Sequence, residues 1–224
     1  MGLFDVFKKK KKVEEEKSEE PNLSGWNAII ERCEQVYPNQ KDPKAFGPII
    51  RWRFGGGSPL DSVRIYDGGD YWHFVTLGLS ELYEKECDNK EISGYGWEFT
   101  FKLKKGCYED EYEYRELVWA IGTLQHIAKT VFENGEIYGF FEYLYSGQTE
   151  GLNVSEDSEI TGFITVPDFK LKEINTPNGK VKFIELIGVT NRELEAIMSK
   201  KIDVIGLCKK LGNDVTDYRR KSVI

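Results

Sequence analysis

Hydrophobic and polar residues change their spacing several times along the chain, and each change predicts an element. From Trp72 to Leu79 the run WHFVTLGL is apolar on both faces, with His73 and Thr76 its polar members. A strand covered on both sides reads this way. Further on the period becomes two. Trp97, Phe99, Phe101 and Leu103 fall on one face, and Glu98, Thr100 and Lys102 on the other. Alternation predicts a strand with one buried face and one exposed face. The polar stretch Glu84–Ser93 between the two runs predicts a surface loop, with Gly94 and Gly96 at its exit.

The flanking chain adds helices and shorter strands. Trp26, Ile29, Ile30, Cys33 and Tyr37 recur at helical spacing, Ser24 is placed to cap that helix, and Pro38 stops it. Residues 38–48 read as a loop, and Ile49–Phe54 and Ser62–Tyr66 as strands on either side of Gly55-Gly56-Gly57-Ser58-Pro59. A phosphate loop would need a Lys followed by Ser or Thr opening a helix; none follows, so the glycines predict a turn. Over 113–134 a stripe of Leu117, Val118, Ile121, Leu124, Ile127, Ala128, Val131 and Phe132 predicts a helix with Glu116, Gln125 and Lys129 outside the stripe and Gly135 as terminator. Acids at its start, Glu109 to Glu116, suit the positive end of a helix dipole. Glu159–Pro167 and Lys180–Thr190 predict strands on either side of a turn at Thr176-Pro177-Asn178-Gly179. Thr190 and Glu193 form a capping box, and a last helix over Asp203–Leu211 ends at Gly212.

These elements predict an α+β domain over 22–224. Its mixed, mostly antiparallel sheet is built from residues 49–103 and 139–190, with the helices packed on it. Residues 1–21 carry an apolar head, a lysine run and an acidic run. That composition predicts a flexible charged tail. Leu3, Phe4, Phe7 and Lys8–Lys12 would give only a marginal membrane-surface contact, and Val6 stands where a myristoylation signal needs Ser or Thr. No window approaches the roughly 18 apolar residues of a membrane span, and no secretory signal is present, so a cytoplasmic location is expected.

Charge and chemistry narrow the function. The net charge is −7 over 224 residues, and because six lysines and six acids cancel within 1–20, the remainder keeps all of it. That disfavours nucleic acid as a partner and suits a basic protein. Cys33, Cys87, Cys107 and Cys208 are scattered without a paired spacing, as expected of reduced thiols. His73 and His126 are the only histidines. No metal-ligand spacing, nucleophile elbow or catalytic set accompanies them, so no catalytic residue, cofactor or metal is expected. His73 reads as a packed core or interface histidine, and the five tryptophans as mostly core. Residues 139–159 contain no basic residue, and place Glu142, Glu150, Glu156, Asp157 and Glu159 beside Phe140, Phe141, Tyr143 and Tyr145. They read equally well as an aromatic and acidic binding surface or as a strand with buried aromatics followed by a solvated loop.

Several stretches also resemble the Suppressor of fused family: WRFGGGSPLDSVRIY (52–66), HFVTLGLSELY (73–83), SGYGWEFTFKLK (93–104) and TPNGKVKFIELIGVTNRELE (176–195). The resemblance runs from about Tyr37 to Arg220 and keeps the order of the motifs. It implies the fold of that family's N-terminal domain, and a binding protein in place of an enzyme. Animal members have two domains and sequester a zinc-finger transcription factor, whose peptide adds as a strand in the cleft between the domains. This chain looks like the first domain only, which resembles the bacterial branch, some of whose members are proposed to be immunity proteins. The resemblance therefore implies a domain that sequesters or neutralises a partner protein, and the net charge of −7 suits a basic toxin in that role. A constitutive scaffold and an enzyme with a cryptic site are the alternatives. The family's partner-contacting loop follows LSELY, which puts Tyr83, Glu84, Asp88 and Glu91 at the expected surface, with Tyr143 and Tyr145 as a second part of it. The strand carrying Trp97, read as half-exposed beside a polar loop, is the expected place for strand addition.

Overall fold

The computed structural model describes residues 22–50, 55–106, 110–145 and 147–224. The expected tail over 1–21, most of the expected strand at 49–54, Trp52 and Cys107 lie outside these residues. Four helices, α1 (Ser24–Val36), α2 (Asp110–Asn134), α3 (Asn191–Met198) and α4 (Val204–Leu211), pack on one sheet. Its strands are β1 (Lys44–Phe46), β2 (Ser62–Asp67), β3 (Tyr71–Leu77), β4 (Ile92–Lys104), β5 (Tyr143–Leu144), β6 (Ile160–Pro167), β7 (Ile174–Thr176) and β8 (Gly179–Thr190).

The sheet order is β1-β2-β3-β4-β8-β6-β5, with β7 pairing the start of β8. Neighbours are antiparallel except β4 and β8, which run parallel. The two longest strands therefore lie at the centre. The two faces follow from the period of two. Trp97, Phe99, Phe101, Leu103, Ile184 and Leu186 point toward α2 and meet Leu117, Leu124 and Val131. On the other face Val75, Leu77 and Phe183 pack under Ile29 and Cys33 of α1. Further along that face Ile187 and Val189 pack under Leu194 of α3 and Leu207 of α4. Burial pushes the Cys33 thiol up to about 12, as befits a packed, unreactive cysteine.

The structure corrects the reading of β4. Both of its edges are paired, and its polar face is buried: Glu98 and Thr100 are inaccessible and Lys102 is 1% exposed. Alternation showed that the two faces differ in polarity; it did not show that one faces water. Thr100 and Phe101 are paired on both edges, whereas the first half of β4 pairs with β8 alone, at Ile92 and from Trp97 onward. Four smaller differences have local causes. Ser24 is the first helical residue and does not cap α1; instead its N–H donates to Asn22 Oδ1 at 3.0 Å. The expected loop 38–48 contains β1, recruited by pairing with β2. On α2 Val118 and Trp119 are exposed, whereas Glu116 turns inward and receives the Val154 N–H. Trp97 is fully buried while Trp26 and Trp72 are only half-buried, so period alone overstated the aromatic core.

Several predicted termini hold. Thr190 Oγ1 accepts from Glu193 N at 3.2 Å while the Glu193 carboxylate accepts from Thr190 N at 2.8 Å. Asp203 caps α4 and Gly212 closes it in the left-handed conformation. Glu193 does more than cap. Its buried carboxylate also takes two bonds from Arg220, at 2.7 and 2.6 Å, and one from Val223 N at 2.9 Å, which ties the C-terminal segment to α3. Burial pushes this carboxyl up, but the Arg220 guanidinium and the backbone N–H donors outweigh it and hold it below its ordinary value. A carboxyl whose folded value is depressed stabilises the fold above its unfolded value and loses that contribution as the pH falls through the folded value. Glu193→Gln should therefore cost about 2 kcal/mol at neutral pH. In urea unfolding followed as a function of pH, the gap to the unaltered protein should narrow as the pH falls below about 4.5.

Candidate protein-binding site

The turn that joins β3 to β4 is built around one carboxylate. Glu98 on β4 accepts from Thr76 Oγ1 at 2.8 Å, from the N–H groups of Gly78, Leu79 and Ser80 at 3.0, 3.3 and 2.9 Å, and from Ser80 Oγ at 2.6 Å. Burial pushes this carboxyl up, and the five donors oppose that push. Successive N–H groups converging on one anion fix the backbone of residues 78–80. A second carboxylate, Glu81, extends the pattern by accepting from Glu86 N, Cys87 N and Lys85 Nζ at 2.7, 2.6 and 2.7 Å. Asn178, from the β7–β8 turn, donates to the carbonyls of Glu81 and Tyr83 at 2.8 and 3.1 Å. Gly94 is required where β4 begins: its φ is +57°, and a Cβ would sit 2.8 Å from the Leu79 carbonyl.

This framework holds Tyr83 half-buried, with its hydroxyl donating to Asp61 Oδ2. Beside it lies a cleft of 440 Å³ whose walls include Asp61, Glu81, Glu84 and Glu86, with Tyr95 and Phe132 as aromatic surface. No basic side chain is among its lining residues. A neighbouring cleft of 710 Å³ shares Tyr95 and is lined by Glu91, Tyr138 and Phe140, but also by Lys90, Lys180 and Lys182. The expected site residues are thus distributed. Tyr83 and Glu84 share the acidic cleft, Glu91 belongs to its neighbour, and Asp88 is exposed on the loop between them. Tyr143 and Tyr145 are 43% exposed at the outer strand β5, so of the two readings of 139–159 the buried-aromatic one does not hold for them. Glu86 falls within the expected stretch 83–91, whereas Asp61, Tyr95 and Phe132 were not anticipated. They come from the residue before β2, from β4 and from α2, and no spacing in the chain announces that they meet.

A second polar constellation lies in the core. His73, Lys102 and Glu185, from three adjacent strands, meet Asp168 from the turn after β6 on the sheet face beneath α1. His73 Nε2 is 2.9 Å from Asp168 Oδ2 and 3.8 Å from Glu185 Oε2. Lys102 Nζ bridges Glu185 at 3.0 Å and Asp214 at 2.6 Å. Burial drives Glu185 well above and His73 below their ordinary values. Burial pushes Asp168 up as well, yet His73, Lys102 and the Leu171 N–H prevail and hold it low. Sequence spacing did not reveal this set, because partners in neighbouring strands are set by register.

Among the described residues no helix is long and apolar enough to cross a membrane. The family model for Suppressor of fused protein (SUFU) matches residues 56–221. The Suppressor of fused homologs of Homo sapiens and Mus musculus are each 29% identical over 188 residues, covering 77% of this chain and 37% of theirs. The chain thus spans little more than a third of the length of those relatives. Among solved structures, a chain of the Sufu-Fu complex aligns with TM-score 0.75 and 28% identity, over 91% of this chain and 93% of its own length. Drosophila Suppressor of Fused aligns with TM-score 0.76 and 28% identity, over 91% of this chain and 52% of its own length. Motif order, sheet, helices and the family match agree: the chain belongs to the Suppressor of fused family.

Proposed function

We propose that this chain is a protein-binding domain that captures a basic segment of its partner in the Tyr83 cleft, and so sequesters or neutralises that partner as an immunity-type protein would a toxin. The observation that carries this reading is the cleft itself. It combines aromatic area with four carboxylates and has no lysine or arginine on its walls. A lysine- or arginine-bearing segment entering it would find charge complementarity, while Tyr83 offers a large ring already held in place. The kinship with a protein crystallised as a Sufu-Fu complex supports protein binding in general. The net charge of −7 supports a basic partner. Exposed Asp88 adds negative charge beside the cleft, Glu91 faces the neighbouring lysine-bearing cleft, and Tyr143 and Tyr145 would form a separate outer contact.

The binding reading is tested on a partner captured from the protein's own cells and then purified. Glu84→Lys with Glu86→Lys should lower the association rate about tenfold at low salt, with the difference shrinking as salt screens it and the melting temperature unchanged. Tyr83→Ala should act mainly on dissociation and cost roughly 2 kcal/mol of binding. A basic partner that binds all these variants as it binds the unaltered chain would place the surface elsewhere. A partner toxin whose activity is unaffected by a saturating amount of this protein would remove the neutralising role.

Preorganisation is tested separately at Glu98, which does not line the cleft. Glu98→Gln puts an amide N–H₂ where donors already converge. It should cost about 1–3 kcal/mol of stability and speed amide hydrogen exchange at Gly78 to Ser80. Partner affinity should fall although no contact residue has changed. Unchanged exchange at these amides would show that the turn does not depend on the carboxylate.

A further inference from the structure

The core constellation is more specific than a buried salt bridge. We propose that His73, Asp168 and Glu185 form a buried site for a divalent transition-metal ion of the zinc type.

The first support is convergence. One ligand atom from each of the three residues lies within 4.8 Å of the other two. Donors at about 2.0–2.2 Å from a tetrahedral zinc stand about 3.4 Å apart. His73 Nε2 stands 2.9 Å from Asp168 Oδ2 and 3.8 Å from Glu185 Oε2, separations that bracket that value and make Oε2 the nearer Glu185 oxygen. The second support is unmet demand. His73 Nε2, Asp168 Oδ2 and Glu185 Oε1 are all buried, and none has a hydrogen-bond partner. His73 Nε2 and Asp168 Oδ2 meet each other as an ion-pair contact at 2.9 Å, and Glu185 Oε1 meets no partner. Polar atoms so placed in a core are costly unless something polar joins them.

The third support is the state of each residue's other atoms. His73 Nδ1 meets Tyr37 Oη at 2.8 Å. Asp168 Oδ1 accepts from Lys170 N and Leu171 N at 2.7 and 2.9 Å. Glu185 Oε2 accepts from Thr100 Oγ1 at 2.9 Å and pairs with Lys102. His73 Nδ1 and Asp168 Oδ1 are thus held by the protein behind the site, while Glu185 Oε2 is shared between Thr100, Lys102 and the site. This is how metal ligands are oriented by the groups behind them. Charge points the same way. Asp168, Glu185 and Asp214 face a single buried lysine, and Lys102 lies closer to Asp214, at 2.6 Å, than to Glu185, at 3.0 Å. A divalent ion would offset Asp168 and would favour the ionised form of Glu185, which burial otherwise opposes. One imidazole with two carboxylates in so small a space suits zinc or a similar first-row ion, and not calcium, which takes six to eight oxygens. The ion's role would be structural. It would clasp β3, β8 and the turn after β6, and through Tyr37 the end of α1.

The test uses the full chain without an affinity tag, purified without chelator, and zinc alone as the probe. Elemental analysis should find one zinc per chain. Chelation should lower the melting temperature, and added zinc should restore it. His73→Asn and Glu185→Gln should each weaken zinc binding at least tenfold in titration. Glu185→Gln preserves shape and an acceptor for Thr100 and Lys102, so it guards against loss through misfolding. Cobalt in place of zinc should give visible ligand-field bands that disappear in both variants. Substoichiometric zinc with a melting temperature indifferent to chelation would overturn the proposal, leaving a shared proton between the carboxylates. Zinc binding that survives both substitutions would overturn it too, because the ion would then sit elsewhere.

Discussion

The fold depends on burying the charged face of its central strand. β4 lies between β3 and β8 with Glu98, Thr100 and Lys102 all directed to one side and all inaccessible or nearly so. Removing an ammonium and carboxylates from water costs several kcal/mol per ion, so such a strand is tolerable only where every charge meets a partner. That requirement fixes much around it. Lys102 demands Glu185 at its register on β8 and Asp214 from the C-terminal segment. The same segment is stitched to β4 by backbone bonds from Thr216 N to Lys102 O and from Lys104 N to Thr216 O, both 2.8 Å. A Cβ at Gly188 would stand 2.6 Å from the Thr216 side chain, so β8 stays bare where the segment crosses it.

What the sequence makes legible is local. The capping box at Thr190 and the Gly212 stop depend on residues within one helical turn, and both stand as read, while Asp203, read as the first residue of the last helix, is its cap. The apolar faces of β3 and β4 are likewise visible from period alone. Failures occur where a distant segment decides. Glu98, Thr100 and Lys102 look like a wet face until the 78–80 turn closes on Glu98, Glu185 of β8 meets Thr100, and Asp214 meets Lys102. The half-buried indole of Trp72 receives charge from afar: Glu113 accepts from its Nε1 at 2.6 Å, and Lys105 lies 4.2 Å from its ring. Val118 and Glu116 exchange roles because residue 154 approaches α2 from the far side of the sequence. The candidate cleft divides in the same way. Tyr83 and Glu84 are legible because motif and loop adjoin, whereas Asp61 and Phe132 reach it only through the fold.

The core and the candidate cleft are linked through β4. Its Glu98 end organises residues 78–80 and thereby the turn that carries Tyr83, while its Lys102 end belongs to the ionic core four residues away on the same face. A strand paired on both edges moves as part of the sheet, so the turn inherits the rigidity of the core. A surface held this way loses little conformational entropy when a partner binds. The carboxylates at the two ends do different work for that reason. Those of the core are spent on internal partners, and those of Glu84 and Glu86 remain exposed. The acidity the fold leaves unspent thus lies at Glu84 and Glu86, beside the turn that Glu98 holds.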